Sequence, residues 1–213
     1  MKLFDRENIW DFWSSRYERL WVQRFSLAPT RRAIIERLDH LLEREKPVRI
    51  LDMGCGTGQL VRDIKAAFPD YPITIKGVDI SQGMIREARL ADPESTYEVY
   101  SMEGYHDDRE LYDIITCTHS LPYYRDQSRA IEKFHGWLKP GGYLFVANAS
   151  TNNLFDLFSF GIIKLTTSKA RYPSVKEMEA LINPFFFIKE RQRIRENIFI
   201  ASIYLFVCQK GWR

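Results

Sequence analysis

The residues best suited to chemistry begin at Asp52, inside the run Val48-Arg49-Ile50-Leu51-Asp52-Met53-Gly54-Cys55-Gly56-Thr57-Gly58-Gln59-Leu60-Val61. A short apolar stretch ends in an acid, three alternating glycines follow, and Leu60, Val61, Ile64 and Phe68 then recur at helical spacing. The elements this pattern demands are a strand, a tight turn and a helix N-terminus. Each glycine removes a Cβ where the backbone turns sharply or another molecule approaches, and the starting helix offers free N–H groups. The spacing Asp52-x-Gly54-x-Gly56-x-Gly58 differs from the G-x-G-x-x-G of dinucleotide folds, which would need a glycine at Gln59, and no Gly-Lys-Ser/Thr ends the turn as in a phosphate loop. An acid leading the turn is poorly suited to diphosphate and better suited to a cationic ligand.

Two further residues follow from position. Asp79 ends the apolar run Pro72–Ile80, about 20 or slightly more residues beyond the turn, where doubly wound folds place the carboxylate that takes two ribose hydroxyls. The plainer alternative is a strand-end acid capping the next helix, with Ser81 as a competing cap. His119 ends the strand-like run Tyr112–His119, which leads into Ser120–Tyr124, a loop at the carboxyl end of a strand, where ligands of open α/β sheets sit. Its charged and neutral states are both accessible near neutral pH, so it is a candidate proton acceptor, with simple hydrogen bonding or packing as the alternative.

The elements that carry these residues alternate between strand and helix. Strands are expected at 48–52, 72–80, 96–100, 112–119 and 143–148, then at Phe185–Ile188 and Ile198–Cys208 as an antiparallel closing pair. An aromatic stripe of Trp10, Trp13, Tyr17, Leu20 and Trp21 reads as a first helix, serving either as packing or as a lid that stacks on a ligand. A second helix starts at Pro29-Thr30 and stops before Pro47. From Ser150 to Val175 the pattern breaks: Leu154, Phe158, Ile162 and Leu165 lie at helical spacing with Phe155, Phe160 and Ile163 beside them. That segment is apolar on more than one face, which fits body packing, a substrate pocket, a subunit contact or lipid contact.

Composition narrows the class. At 213 residues, 45% hydrophobic and 14% aromatic, one α/β domain over 1–213 is expected, with N-terminal helices or lid over 1–46 and an inserted helical cap over 149–183. A net charge of +3 from 31 basic and 28 acidic residues, without like-charge blocks, argues against a nucleic-acid partner. The charged start Met1-Lys2-Leu3-Phe4-Asp5-Arg6-Glu7 lacks a signal peptide's apolar core, and no stretch is long enough to span a bilayer; a cytoplasmic location without stable membrane insertion is expected. Cys55, Cys117 and Cys208 are odd in number and lack metal-ligand spacing, so they read as reduced core thiols, and no metal is expected.

The run Asp52–Gly58 after a strand resembles motif I of the class I S-adenosylmethionine-dependent methyltransferases. The join Trp137-Leu138-Lys139-Pro140-Gly141-Gly142 into Tyr143–Asn148 is a second likeness to that family. The resemblance implies a three-layer αβα sandwich around a seven-stranded, mostly parallel sheet with its last strand antiparallel. It implies S-adenosylmethionine as cofactor and methyl transfer to a small-molecule acceptor at O, N or C, by in-line displacement. Asp52 with the carbonyl of Gly54 or Thr118 would hold the donor's ammonium, the turn residues Cys55, Gly56 and Gly58 would lie against it, and Asp79 with Ile80 would take the ribose. Met84 would face the adenine beside Ser101, Met102 and Glu103. A serine stands at 101 where related enzymes often carry an aspartate, which weakens the polar adenine contact or passes it to Glu103; the backbone N–H of Met102 is unaffected. Catalytic candidates are His119 and Tyr123, and the acceptor pocket draws on Trp13, Tyr17, Tyr124, Asn148, Phe155 and Phe158. The implied partner is a small molecule, with room for a homodimer. Other readings of the same residues are a non-catalytic S-adenosylmethionine-binding subunit, a methyltransferase acting on a protein or lipid, and a dehydrogenase or other nucleotide user.

Overall fold

The structure, a computed structural model, describes residues 10, 11, 14, 27–107, 111–150, 170–194 and 202–212. Seven strands form one sheet: β1 (Val48–Met53), β2 (Ile73–Asp79), β3 (Thr96–Val99), β4 (Tyr112–Thr118), β5 (Leu138–Ala149), β6 (Phe187–Ile194) and β7 (Ile203–Gln209), in the order β3-β2-β1-β4-β5-β7-β6. The first five pair in parallel, and β7 runs antiparallel to both β5 and β6. Described helices are α1 (Ala28–Leu41), α2 (Gln59–Ala67), α3 (Gln82–Ala91), α4 (Gln127–Trp137) and α5 (Val175–Ile182).

The central strands read as continuous apolar runs because both sheet faces are covered. Ile50, Ile114, Phe145 and Leu205 point to one side, where α1 (Ala33, Ile34, Leu38), α2 (Leu60, Val61, Ile64) and α3 (Ile85, Ala88) close a core. Leu51, Ile115, Val146 and Phe206 point to the other, under α4 (Ile131, Phe134) and α5 (Met178, Ile182). This is the expected three-layer arrangement. Strand order reverses between β1 and β4, which makes their carboxyl ends the natural crevice for a ligand.

Two elements differ from the sequence expectation. The segment Lys139-Pro140-Gly141-Gly142, read as a turn, lies within β5: Leu138 already pairs with Tyr112, and a register shift between Tyr112 and Ile114 absorbs the extra residues. The sixth strand is Phe187–Ile194 rather than Phe185–Ile188. Phe185 and Phe186 instead pack their rings at 5.9 and 5.4 Å from His135 on α4. As an edge strand, β6 has one free side, and its run Lys189-Glu190-Arg191-Gln192-Arg193 carries the charge that discourages edge-to-edge pairing; hydropathy therefore points to the wrong residues.

Candidate functional site

The glycine run folds as its spacing requires. Gly54, Gly56 and Gly58 have φ of 81°, 54° and 75°, conformations that side-chain-bearing residues rarely adopt. A Cβ on Gly54 would stand 2.3 Å from Cβ of Ser120, and one on Gly58 would stand 2.5 Å from the Tyr97 hydroxyl. The turn is pinned to β2 by Gly54 N–H and Cys55 N–H, which both donate to the Val78 carbonyl at 2.7 and 3.0 Å. Gly58 caps α2 without a side-chain hydrogen bond.

Beside this turn lies a cleft with about 420 Å³ of empty space, lined by Leu27, Arg31, Asp52, Gly54, Cys55, Gly56, Thr57, Gln59, Leu60, Thr118 and His119. Asp52 is 1% exposed; its Oδ1 accepts from the Thr116 hydroxyl at 2.7 Å, while Oδ2 is buried without a hydrogen-bond partner among the described residues. Burial pushes its carboxyl up to about 7, the Thr116 hydrogen bond opposes this, and the charge of Asp79 adds to it. A buried carboxylate oxygen without a partner among the described residues, on a residue that lines a cleft, suits a cationic or hydrogen-bond-donating group.

Asp79 is bound to the same turn. Its Oδ2 accepts from Gly56 N–H and its Oδ1 from Ser81 N–H, both at 2.9 Å, so the acid both braces the glycine turn and starts the chain toward α3. Burial raises its pKa, opposed by those backbone donors. Ser81 caps α3 by accepting from Met84 N–H at 3.1 Å. Asp11 reaches the same helix end, where Oδ1 accepts from the Ser81 hydroxyl at 2.5 Å and from Gly83 N–H at 2.8 Å. Met84 is buried in the first turn of α3, with Ile80 half-buried before it.

The loop after β3 is held from α4. Lys133 Nζ donates to the carbonyls of Met102, Glu103 and Tyr105 at 3.1, 2.9 and 3.1 Å and lies 5.5 Å from the Trp137 ring. The Ser101 hydroxyl accepts from Gly104 N–H at 3.1 Å, and Glu103 Oε1 from Arg125 N–H at 3.0 Å.

His119, expected as the last residue of its strand, instead lies beyond the end of β4 at Thr118, because its φ of 58° breaks the extended backbone. Its N–H still donates to the Ala147 carbonyl at 2.7 Å, but the turned backbone carries the ring toward α1, where Nε2 and the Thr30 hydroxyl share a 3.0 Å hydrogen bond. Burial, with the nearby Arg31 charge, pushes its pKa down to about 4. A neutral imidazole at the cleft wall is the consequence. Tyr123 and Tyr124 part company. The Tyr123 hydroxyl meets that of Tyr172 at 3.0 Å and its ring stands edge-on to Trp10 at 5.1 Å. The Tyr124 hydroxyl lies under the turn, 3.0 Å from the Ser120 hydroxyl and donating to the Met53 carbonyl at 3.3 Å. Asn148 is buried on β5. Trp13, Tyr17, Phe155 and Phe158 lie outside the described residues.

The cleft also contains residues the sequence reading passed over. Arg31 on α1 donates to Asp63 at 2.6 Å and to Gln59 at 2.9 Å, and Thr30 is fully buried beside it. The available signal was Thr30, four residues before Ile34 on the apolar face of α1, since a polar residue at a core position needs a partner. Among the described residues, no group of three or more acidic, histidine or cysteine side chains is placed to hold a metal.

Residues 23–185 match the family model described as a methyltransferase domain. A biotin biosynthesis bifunctional protein BioCD of Bordetella avium is 29% identical over 176 residues, 80% of this chain and 36% of that protein. A ubiquinone biosynthesis O-methyltransferase of Coxiella burnetii is 31% identical over 122 residues, 55% of this chain and 50% of that protein. The chain thus spans half or less of the length of these relatives. The magnesium protoporphyrin IX methyltransferase ChlM of Synechocystis, solved with bound SAH, shares the fold at a TM-score of 0.74 and 15% identity, over 97% of this chain and 100% of that one. The chain belongs to the methyltransferase-domain family and has the fold of the class I S-adenosylmethionine-dependent methyltransferases.

Proposed function

We propose that this protein transfers the methyl group of S-adenosylmethionine to a small-molecule acceptor. The observation that carries the reading is Asp52: a buried carboxylate oxygen without a partner among the described residues, on a residue that lines the cleft beside the glycine turn. The donor's ammonium fits that oxygen, and Arg31 on the same cleft suits its carboxylate. The absence of Cβ atoms at Gly54, Gly56 and Gly58 lets the chain approach closely. Asp79, Met84 and the loop 101–103 would serve the ribose and adenine, with Ser101, Glu103 and Asp79 keeping acceptor capacity beyond the backbone bonds they already make.

The sulfonium supplies an activated methyl, whose transfer leaves a neutral thioether while the acceptor's proton passes to solvent. What the chain contributes is alignment and water exclusion, effects that supply about 7–11 kcal/mol in well-oriented reactions. His119 is held neutral by burial and Arg31, so its role is to orient an acceptor group rather than to store a proton. Tyr123, on the turn just after His119, is proposed to wall the acceptor side. The proposed location is the cytoplasm, a reducing compartment that suits the buried free thiols of Cys55, Cys117 and Cys208. Among the described residues, no helix is long and apolar enough to cross a membrane.

Titration calorimetry tests this. S-adenosylmethionine and S-adenosylhomocysteine should both bind, with Asp52→Ala and Asp79→Ala each weakening binding by at least about tenfold, equivalent to roughly 1.4 kcal/mol. No heat with either compound, or wild-type affinity in both variants, would overturn the reading.

A further inference from the structure

Asn148 carries an amide whose Oδ1 and Nδ2 are both buried without a hydrogen-bond partner among the described residues, in a side chain only 4% exposed. An unpaired buried amide is costly, and a core position on β5 would accept valine or leucine without that cost. Its surroundings point to a reason for keeping it. Side chains alternate along a strand, so Asn148 shares the face of Val146 and of Ser150, whose hydroxyl donates to the Pro173 carbonyl at 2.8 Å. The segment that Ser150 holds is tied to the turn after β4: Arg171 N–H donates to the Pro122 carbonyl at 2.8 Å, and the Tyr172 and Tyr123 hydroxyls meet at 3.0 Å. Tyr204 stands in register with Asn148 on β7.

On the other side, β4 pairs with β5 as far as Thr118 and Ala147, which makes His119 the next neighbour of Asn148. Continued as a strand, His119 would direct its imidazole to the same face. The φ of 58° sends the ring to Thr30 instead, and the amide keeps its donor and acceptor for something else, at the carboxyl end of the sheet and one residue from the cleft wall.

We propose that Asn148 recognises the methyl acceptor, and that this acceptor is an uncharged planar molecule whose edge sets a hydrogen-bond donor beside an acceptor, as in a lactam or a hydroxy–oxo ring. The proposal rests on the methyl-transfer reading and adds the substrate class. A carboxamide offers N–H and C=O side by side, and the complement of that pair is another such pair. It carries no charge, so the amide itself offers a carboxylate no ion pair, and the cation in register beyond Tyr204, Arg193, is turned to the Ser202 hydroxyl. The ring of Tyr204, in register with Asn148 on β7, favours a flat partner.

The test uses the full chain saturated with S-adenosylhomocysteine and three probes: 2-pyridone, which has the donor–acceptor edge, 2-methoxypyridine, which lacks the donor, and benzoate, which is charged. By calorimetry, 2-pyridone should bind at least about tenfold more tightly than either control, and Asn148→Leu should lose at least about tenfold of that affinity. S-adenosylhomocysteine affinity should stay within about twofold, because the amide lies off the donor's cleft. Asn148→Leu should also unfold at a higher temperature than the wild type, since it removes an unpaired polar group; Asn148→Thr, a milder change, should show the same loss of 2-pyridone. Equal binding of 2-pyridone and 2-methoxypyridine, or undiminished 2-pyridone binding in both variants, overturns the proposal. A lowered melting temperature in Asn148→Leu overturns it too, because it would mean an internal partner already satisfies the amide. Failure of the wild type to bind S-adenosylhomocysteine would instead remove the donor reading, and this one with it.

Discussion

Asp52 couples ligand binding to pH and to stability. Burial holds its carboxyl near 7, so in the empty cleft it ionises around neutrality. Donor affinity should therefore fall as pH drops below about 7, by up to about tenfold per pH unit, and level off above it; calorimetry at pH 6 and pH 8 checks this. For folding the sign is opposite. The folded-state pKa lies above the unfolded one, so stability is full below the ordinary carboxylate range and declines as pH rises toward about 7. Asp52→Asn should thus unfold at a higher temperature than the wild type at pH 8, with the gain shrinking toward pH 4, by on the order of 4 kcal/mol at full ionisation. The same substitution should weaken donor binding, a trade of function against stability expected where a charge is buried for a ligand. His119 has a backbone counterpart of this cost: a non-glycine residue at positive φ costs about 1–3 kcal/mol, and its position on the cleft wall fits strain kept for function.

At the scale of elements, the β1–turn–α2 unit depends on backbone geometry more than on side chains. Gly54→Ala combines a left-handed φ with a Cβ 2.3 Å from that of Ser120, and should lose at least about 2 kcal/mol in urea unfolding. Gly136 is the contrast. It lies in α4 with nothing within 4 Å of a built Cβ, so Gly136→Ala should gain about 0.5–1 kcal/mol in the same measurement. The loop after β3 is set by a different device, the Lys133 ammonium, which gathers three carbonyls that its own sequence neighbours do not satisfy. In Lys133→Met, amides of 102–105 should exchange hydrogen faster while those of β1 are unchanged.

Across the whole molecule, stability is concentrated where strands are covered on both faces. Leu51, Ile115 and Leu144 are fully buried at the centre of the sheet, and their amides should exchange last; the edges β3 and β6 should open first. A polar network fastens the β3 side: Asp107 accepts from Tyr112 at 2.5 Å, and from Tyr105 and Lys76 at 3.0 Å each. Burial opposes ionisation of Asp107, yet these donors hold its carboxyl below the usual carboxylate range. Asp107→Ala would leave the Tyr105 and Tyr112 hydroxyls, 3.2 Å apart, with only each other, and should cost about 1–3 kcal/mol at pH 7, with the penalty shrinking in acid as Asp107 itself is protonated in the wild type. Arg37 on α1 and Glu190 on β6, 2.7 Å apart, bind one helical layer to the far edge of the sheet.

The sequence by itself determined the fold class, because a βαβ alternation with doubly buried strands leaves few other ways to cover apolar runs such as Ile50-Leu51 and Ile114-Ile115. It also determined the glycine turn, since the φ values at Gly54, Gly56 and Gly58 are local properties of residues without a Cβ. Tertiary structure decided what no spacing encodes: that His119 turns away from its strand to meet Thr30, that Tyr124 lies beneath the turn while Tyr123 faces Trp10, and that the charged run after Phe187 forms the edge strand. It alone shows one oxygen of Asp52 and both polar atoms of Asn148 unpaired among the described residues, because a missing partner is a fact about neighbours distant in the chain.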